Sequence, residues 1–450
     1  MSQLHHSSEV GAGDIATNIS APVEAAGGRR FSPLWRNRDY MLLWIGQLIS
    51  SIGGQVSLLA FPLLVLAITH SPAQAGIIGA LRSLPFVLLS LPAGALVDRW
   101  DRKWVMLLCD TGRGLALGSI PVALWLGHLA MIQLYLVALI EGTLMTFFSL
   151  AQAACLPHVV AKEQLPAATA QNQSIESTSW TLGPFLGGLL YKLGLAIPFL
   201  TDAISYICSV LSIFFIRTSF QEQRVEEPRR IWREIGEGLH FIWRDALLRF
   251  LAILMWGLVA PTIGFTLILI VLAQRFDASP VAIGILFASG GMGSIVGALL
   301  THPLQRRFTF GQMTIGSAWV WSISWLGLAI APNLWILGLA NGLNFIIVPI
   351  YFSVQYSYRL LVVPDQLQGR VQSVFRLLSF GTQPLGLALT GALIQWLGPV
   401  WTVLALFVPQ GLFTLIATFY RPLRKAPALA ELVPTKNASE PRRDVTATSS

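Results

Sequence analysis

Long apolar runs alternate with short polar stretches from Asp39 to about Tyr420. Residues 41–69 and 251–272 carry no charge at all. About 20 apolar residues suffice to cross the ~30 Å hydrocarbon layer of a bilayer as a helix. Inside lipid the backbone has no other hydrogen-bond partner, so each such run must be helical. The pattern predicts twelve spans, at 41–68, 74–97, 104–126, 129–154, 167–191, 196–216, 250–273, 281–303, 312–331, 334–357, 372–396 and 399–420. Few polar residues separate the seventh span from the eighth and the ninth from the tenth, so these boundaries are the least sharply marked.

One segment breaks the pattern. Residues 217–230 are a charged linker, and an amphipathic helix follows. Ile231, Trp232, Ile235, Leu239, Ile242, Trp243 and Ala246 fall on one face, while Arg233, Glu234, Glu237, Arg244 and Asp245 occupy the rest. Such a helix lies in the membrane interface, and this one divides the spans six and six. The expected organisation is a disordered tail at 1–30, a six-helix bundle at 31–217, the linker and amphipathic helix at 218–247, a second bundle at 248–425 and a polar tail at 426–450. The halves echo each other at an offset of about 200 residues, as expected of a duplicated unit. "GALVDRW" at 94 recurs as "GALLTHP" at 297, and "VVAKEQL" at 159 as "VVPDQL" at 362. Each of the latter precedes a long helix with a proline in it, Pro184 and Pro384.

Composition supports the same picture. Hydrophobic residues make up 54% of the chain and charged residues 12%, against about 25% charged in soluble proteins. The net charge of +8 would suggest a nucleic-acid partner in a soluble protein. Here the positive charges sit at the ends of apolar runs, where they orient the chain in a membrane. With the N-terminus cytoplasmic, the inner side holds most Lys and Arg, among them Arg36, Arg38, Arg99, Arg102, Lys103, Arg306, Arg307, Arg359 and Arg370, and the outer side Lys192 and Arg275. Both termini are then cytoplasmic in an inner, plasma-type membrane. Cys109, Cys155 and Cys208 lie within apolar runs and read as small buried hydrophobes. No cleavable signal peptide is visible.

The densest charge is the turn Asp98–Lys103, "DRWDRK", between spans two and three. With its flank, Gly94-Ala-Leu-Val-Asp98-Arg99-Trp-Asp-Arg102-Lys103 resembles the loop signature of the major facilitator superfamily. Asp101 stands where that pattern has Gly, and Thr301 replaces the acid in the second half. "GPFLGG", with Gly183, Pro184, Gly187 and Gly188, is similar to the end of the family's fifth-helix motif of exporters, with Ala170 and Ser179 at its two upstream Gly positions. "AQAACLPHVVAKEQLPAATAQNQS", "LTDAISYICSV" and "IGEGLHFIWRDALLRFL" resemble the bacterial exporter branch that includes enterobactin and macrolide efflux proteins. The resemblance implies an all-α fold of two pseudo-symmetric six-helix bundles that exports a small, fairly apolar molecule by alternating access, without a bound cofactor. It also implies a gate role for the loop, in which Asp98 pairs with positive groups at a neighbouring helix end. A purely topogenic loop is the simpler alternative.

Charges inside the spans are the candidate site, since each costs ~3 kcal/mol or more against lipid. They are Arg82, Asp110, Arg113, Glu141 and Glu176, with Asp202 at the start of span six and Arg376 just inside span eleven, where it can snorkel inward. Asp110 and Arg113 are three apart and can neutralise each other. Glu141 and Glu176 lie mid-span without a sequence-local cation and suit a proton-coupling or substrate role, with an interhelical hydrogen bond as the plainer reading. Gln47 and Gln55 are the polar groups of the first span and candidates to line the cavity. Trp256, Trp319, Trp321, Trp325, Tyr351, Tyr356 and Tyr358 suit either interface anchors or the wall of an aromatic-binding cavity. The chain has no P-loop and no metal-ligand His cluster. The partners expected are a small-molecule substrate and membrane lipid, with no nucleic acid, and the chain is expected to be a monomer powered by a proton gradient. The rival readings are a lipid or metabolite translocator of the same fold and an intramembrane acyltransferase using His240 and Asp245.

Overall fold

The structure is a computed structural model that describes residues 34–218, 220 and 231–428, with side chains from Gly236 onward in the last segment. The tails and most of the charged linker lie outside the described residues. Among those described there is no strand. Six helices form the N-terminal half: α1 (Arg38–Thr69), α2 (Pro72–Val97), α3 (Arg102–Trp125), α4 (Met131–Val159), α5 (Leu165–Leu193) and α6 (Ile197–Phe214). The short helix α7 (Ile231–Arg244) leads into the C-terminal half: α8 (Ala246–Val259), α9 (Phe265–Gln274), α10 (Pro280–Arg307), α11 (Phe310–Ile330), α12 (Leu334–Val362), α13 (Asp365–Phe380), α14 (Gln383–Phe419) and the turn-length α15 (Arg421–Arg424).

Ten of these stretches are long and apolar enough to cross a membrane. Two features bring the rods to twelve. α5 is one, although its polar first half, "AATAQNQSIESTS", keeps it out of the ten. The run Asp365–Phe419 is two, because Gly398 at φ 78 turns the chain back between them. A left-handed φ costs glycine almost nothing. Leu115, Leu299, Ile330 and Trp335 stand exposed on the outer surface, as lipid-facing residues do.

Polar residues between the runs do the capping. Asn37, Ser71, Asp101, Asp245, Ser279, Thr309 and Asn333 each accept a hydrogen bond from the first-turn backbone of the helix that follows. Pro72 and Pro280 open α2 and α10, where a missing N–H costs nothing. Span seven, expected as one helix, is α8 and α9 joined by a turn at Ala260–Thr262. Pro261 removes a helix hydrogen bond there. Gly264 lets α14 close in, since a Cβ would lie 2.2 Å from Thr390 Oγ1. Span eleven is similarly α13 followed by the first part of α14, whereas its counterpart α5 is continuous.

The helix ends define two faces. Arg36, Arg99, Arg102, Lys162, Arg306, Arg370 and Arg421 lie at one, the basic face, and the other is the far face. α7 docks on the basic face of the C-terminal half. Gly238 touches the backbone of Arg370, Glu237 pairs with Arg370, and Ile242 is buried, while Leu239 and Trp243 of the expected apolar face stay exposed.

Apolar packing is uneven along the membrane normal. Near the far face one cluster joins both halves, including Leu59, Phe61, Leu64, Ile268, Ile270 and Leu286. Towards the basic face it divides. One cluster with Met106, Phe148 and Cys155 belongs to the N-terminal half, and one with Met255, Phe310, Tyr351 and Phe375 to the C-terminal half. Two glycine seams close the far face. A Cβ on Gly76 of α2 would lie 2.6 Å from Leu387 O and 2.8 Å from Gly391 Cα of α14. One on Gly188 of α5 would lie 2.2 Å from Pro280 O of α10, opposite Gly284. Small residues permit such backbone approach. Ser71 Oγ adds a hydrogen bond to Gln395 Oε1 at 3.0 Å.

Candidate functional site: a two-lobed cavity and a buried charge network

The first lobe, about 440 Å³, lies between the halves. Its wall is mainly apolar: Leu58, Trp180, Phe265, Phe287, Phe345 and Phe352 come from α1, α5, α9, α10 and α12. A second lobe of about 410 Å³ runs into the N-terminal half and is polar, with Gln47, Ser50, Ser51, Gln55, Gln152 and Asn172 in its wall. Arg82 and Arg113 bound it. Gln55, Leu58, Glu176 and Trp180 line both lobes and so mark their junction. Among the described residues, Gln47 Nε2 and Gln55 Oε1 have no hydrogen-bond partner. Glu176 is exposed to this space. Among the described residues it has no ion-pair partner, and its one side-chain hydrogen bond is a 3.4 Å contact from Gln173 Nε2.

Sequence spacing separates the residues behind the polar lobe, and the fold gathers them. Glu141, 1% exposed, receives Arg82 of α2 through both Nε and Nη2. Arg113 Nη2 of α3 donates to Glu141 Oε1 at 3.0 Å, and Nη1 reaches Asp110 Oδ1 at 3.5 Å. Ser209 Oγ donates to Asp110 Oδ2 at 2.6 Å. The Arg113 guanidinium lies over the Tyr206 ring, 4.3 Å from its centre. Glu141 is therefore not a carboxyl without a cation: two arrive from neighbouring helices, at separations of 59 and 28 residues. Asp110 and Arg113 do meet, but weakly, and Arg113 is engaged mainly by Glu141. Gly142 makes room for this, since a Cβ there would fall 1.9 Å from Arg82 O.

The loop residues lie at helix ends and the helix-five residues at helix contacts. Asp98 caps α2 and pairs with Arg102, four residues on at the start of α3, at 3.5 Å. Arg102 also donates to Ala154 O and Phe220 O, and Lys103 Nζ to Phe214 O and Ile216 O at the end of α6. Cations suit the carbonyls at the end of α6. Arg99 is exposed in the turn, and Gly94 faces open space. Asp101, at the usual Gly position, caps α3 at φ −64 through the N–H groups of Lys103 and Trp104. The turn needs no left-handed residue there. On α5, Gly183 rests on Gln55 and Gly187 on Val56 of α1, while Gly188 faces α10 and Pro184 lines the apolar lobe.

The aromatic residues expected to wall a cavity lie elsewhere. Trp321, Trp325, Tyr351 and Tyr358 are buried within the C-terminal bundle, and Trp256 and Tyr356 are exposed. The apolar lobe uses Trp180 and four phenylalanines instead. Their signal was present in sequence only as apolar residues on helices, which fits any core. Asp245 caps α8 and His240 is exposed, so this pair forms no site. Among the described residues no group of three or more His, Cys, Asp or Glu is placed to hold a metal.

Residues 29–447 match the transmembrane secretion effector family. The chain belongs to this family, within the major facilitator superfamily. It is 28% identical to the multidrug efflux pump Tap of Mycolicibacterium fortuitum, over 86% of this chain and 96% of that protein. It is 24% identical to the enterobactin exporter EntS of Salmonella typhi, over 80% of this chain and 87% of that one. The solved nucleoside transporter NupG superposes with a TM-score of 0.68 at 13% identity, covering 86% of this chain and 99% of that one, and shares the fold. This chain is thus a multi-pass membrane transporter rather than an enzyme.

Proposed function

We propose that this transporter exports a small, largely apolar molecule of the drug, macrolide or siderophore type by alternating access coupled to proton antiport. One observation carries the reading: the two-lobed cavity is sealed from the far face by cross-half packing, while towards the basic face the halves separate into independent cores. A rocking motion of two such bundles moves the opening from one side to the other. The Lys and Arg excess makes the basic face cytoplasmic in an inner membrane, so the cavity faces the cytoplasm and is loaded from within.

Glu176 refines the cargo. An unpaired acid at the rim of an apolar chamber favours a molecule with an apolar body and a basic amine. Loss of one such charge contact weakens binding by about tenfold. In inverted vesicles with an imposed pH gradient, a cationic macrolide should accumulate. Glu176→Gln should raise its apparent KM about tenfold, while transport of a neutral analogue is little changed. Equal loss for both cargoes would remove Glu176 from cargo recognition. Movement of the macrolide in the opposite direction would replace export with uptake, and flipping of a labelled phospholipid alone would favour a lipid translocator.

A further inference from the structure

Buried charge in the N-terminal half does not balance. Two arginines, Arg82 and Arg113, face three buried carboxyl groups: Glu141, Asp110 and Asp202. Glu141 takes both arginines, and Asp110 takes the remaining reach of Arg113. Asp202, 0% exposed on α6, has no cation within ion-pair distance among the described residues and is held by hydroxyls alone. Ser57 Oγ of α1 donates to its Oδ2 at 2.5 Å, and Ser205 Oγ approaches Oδ1 at 3.1 Å. An isolated ionised carboxylate in such a place is costly. With one proton bound, the five groups sum to zero.

We infer that Asp202 is the carboxyl group that takes up and releases the proton in this buried network, an assignment that rests on the antiport reading above. The charged and titratable groups around it come from several elements. Tyr206 comes from α6 itself, Arg113 and Asp110 from α3, Glu141 from α4 and Arg82 from α2. α1 presents no titratable group at the contact, only Gly53 and Ser57, and α5 carries Tyr191 and Lys192 at the end that joins α6. Glu141 holds both arginines and Asp110 keeps a 3.5 Å contact with Arg113, whereas Asp202 meets neither, so the proton is assigned to Asp202.

Local bonding tolerates both states. The Ser57 hydroxyl donates to the carboxylate and can rotate to accept from the protonated acid. Ser205 Oγ has a second acceptor, the Asp202 carbonyl at 2.7 Å, so it loses nothing when the carboxylate is neutralised. Asp202 lies behind the wall of the polar lobe: Gly54 lines the lobe, a Cβ there would lie 3.8 Å from the Tyr206 hydroxyl, and Tyr206, whose hydroxyl has no hydrogen-bond partner among the described residues, is one turn along α6 from Asp202. The proton arrives from cavity water, forms the O–H bond on the carboxylate, and returns to water on release. Coupling follows from linkage. A cationic cargo in the lobe stabilises the ionised network, and protonation in turn weakens cargo binding by the same factor. Because Ser57 shares α1 with Gln55 and Leu58, the change at Asp202 falls on a helix that lines both lobes.

The test uses the full-length protein in lipid. Infrared difference spectra between acid and alkaline pH should show the carbonyl stretch of a protonated carboxyl in the wild type and in Glu176→Gln. That band should be absent in Asp202→Asn, and its persistence there would overturn the assignment. Proteoliposomes with tetraphenylphosphonium as the cationic probe provide the second arm. Asp202→Asn should lose pH-gradient-driven transport by about tenfold or more, yet keep gradient-free exchange of labelled for unlabelled probe. Gradient-driven transport at the wild-type rate would also overturn it. If the wild type shows the Asp202 band but no response to a pH gradient, antiport fails and the protonation site stands. Should Asp202→Asn not assemble, Ser57→Ala keeps the carboxyl and should shift the pH midpoint of the band by about one unit. An unmoved midpoint would count against Asp202.

Discussion

Leucine in place of Gly188 should cut transport by roughly 100-fold while leaving the helices formed. The same holds for Gly391, its counterpart in the second seam. Gly188 and Gly284 bring α5 and α10 into backbone contact, and Gly76 and Gly391 do so for α2 and α14. A Cβ at Gly188 would sit 2.2 Å from Pro280 O, and one at Gly391 2.6 Å from Pro72 O. These neighbours are backbone atoms near helix starts opened by proline, so they cannot yield by a rotamer change. Overpacking of this kind costs ~1–3 kcal/mol or more. Each helix belongs to a half that packs independently towards the basic face. The strain is therefore relieved by parting the halves at the far face rather than by unfolding either one. A shift of about 3 kcal/mol in the balance of the two states changes their ratio by roughly 100-fold. Spin labels at Ser71 and Gln395, now joined by a hydrogen bond, should move apart in Gly188→Leu, and turnover should fall by about the same factor. A variant that transports normally with an unchanged label distance would show that the seams do not form the far-side seal.

Glu141→Gln should have the largest effect on stability. Glu141 satisfies two arginines at once and is almost wholly enclosed. Its neutral isostere keeps the volume and loses the charge, leaving two guanidinium groups with only the weak contact of Asp110. Removing one partner of a buried pair costs ~3–5 kcal/mol. The detergent-solubilised variant should melt several degrees below the wild type, by roughly 2–4 °C per kcal/mol. Arg82→Gln combined with Glu141→Gln should recover part of the loss, because one uncompensated charge is removed with the other. Asp202→Asn, which breaks no ion pair, should melt close to the wild type. If Glu141→Gln were as stable as Asp202→Asn, the arginines would have to find other anions, and Glu141 would no longer be the centre of the network.

This contrast shows why Glu141 was legible in the sequence and its role was not. A lone acid in the middle of an apolar run announces itself, because lipid tolerates charge so poorly. Whether it is lone in space depends on α2 and α3, which bring Arg82 and Arg113 from 59 and 28 residues away. Asp202 illustrates the converse. It sits near the start of its span, looks like a residue near the membrane surface, and is fully enclosed once α1 packs against it through Gly53 and Ser57. The cavity aromatics were hidden for a similar reason. Phe265, Phe287, Phe345 and Phe352 differ in no local pattern from the buried Trp325 or Tyr351.

By itself the sequence determined the number of rods, their division into two halves, the turns between successive rods and the basic bias of one face, though not the breaks within spans seven and eleven. Each of these follows from the cost of placing charge or unpaired backbone in hydrocarbon, and that cost acts residue by residue along the chain. Tertiary structure alone decided which acid meets which arginine, which aromatic faces the void and on which side the halves touch. Those outcomes depend on helix rotation and on close approach at single glycines, and neither leaves a periodic mark in the chain.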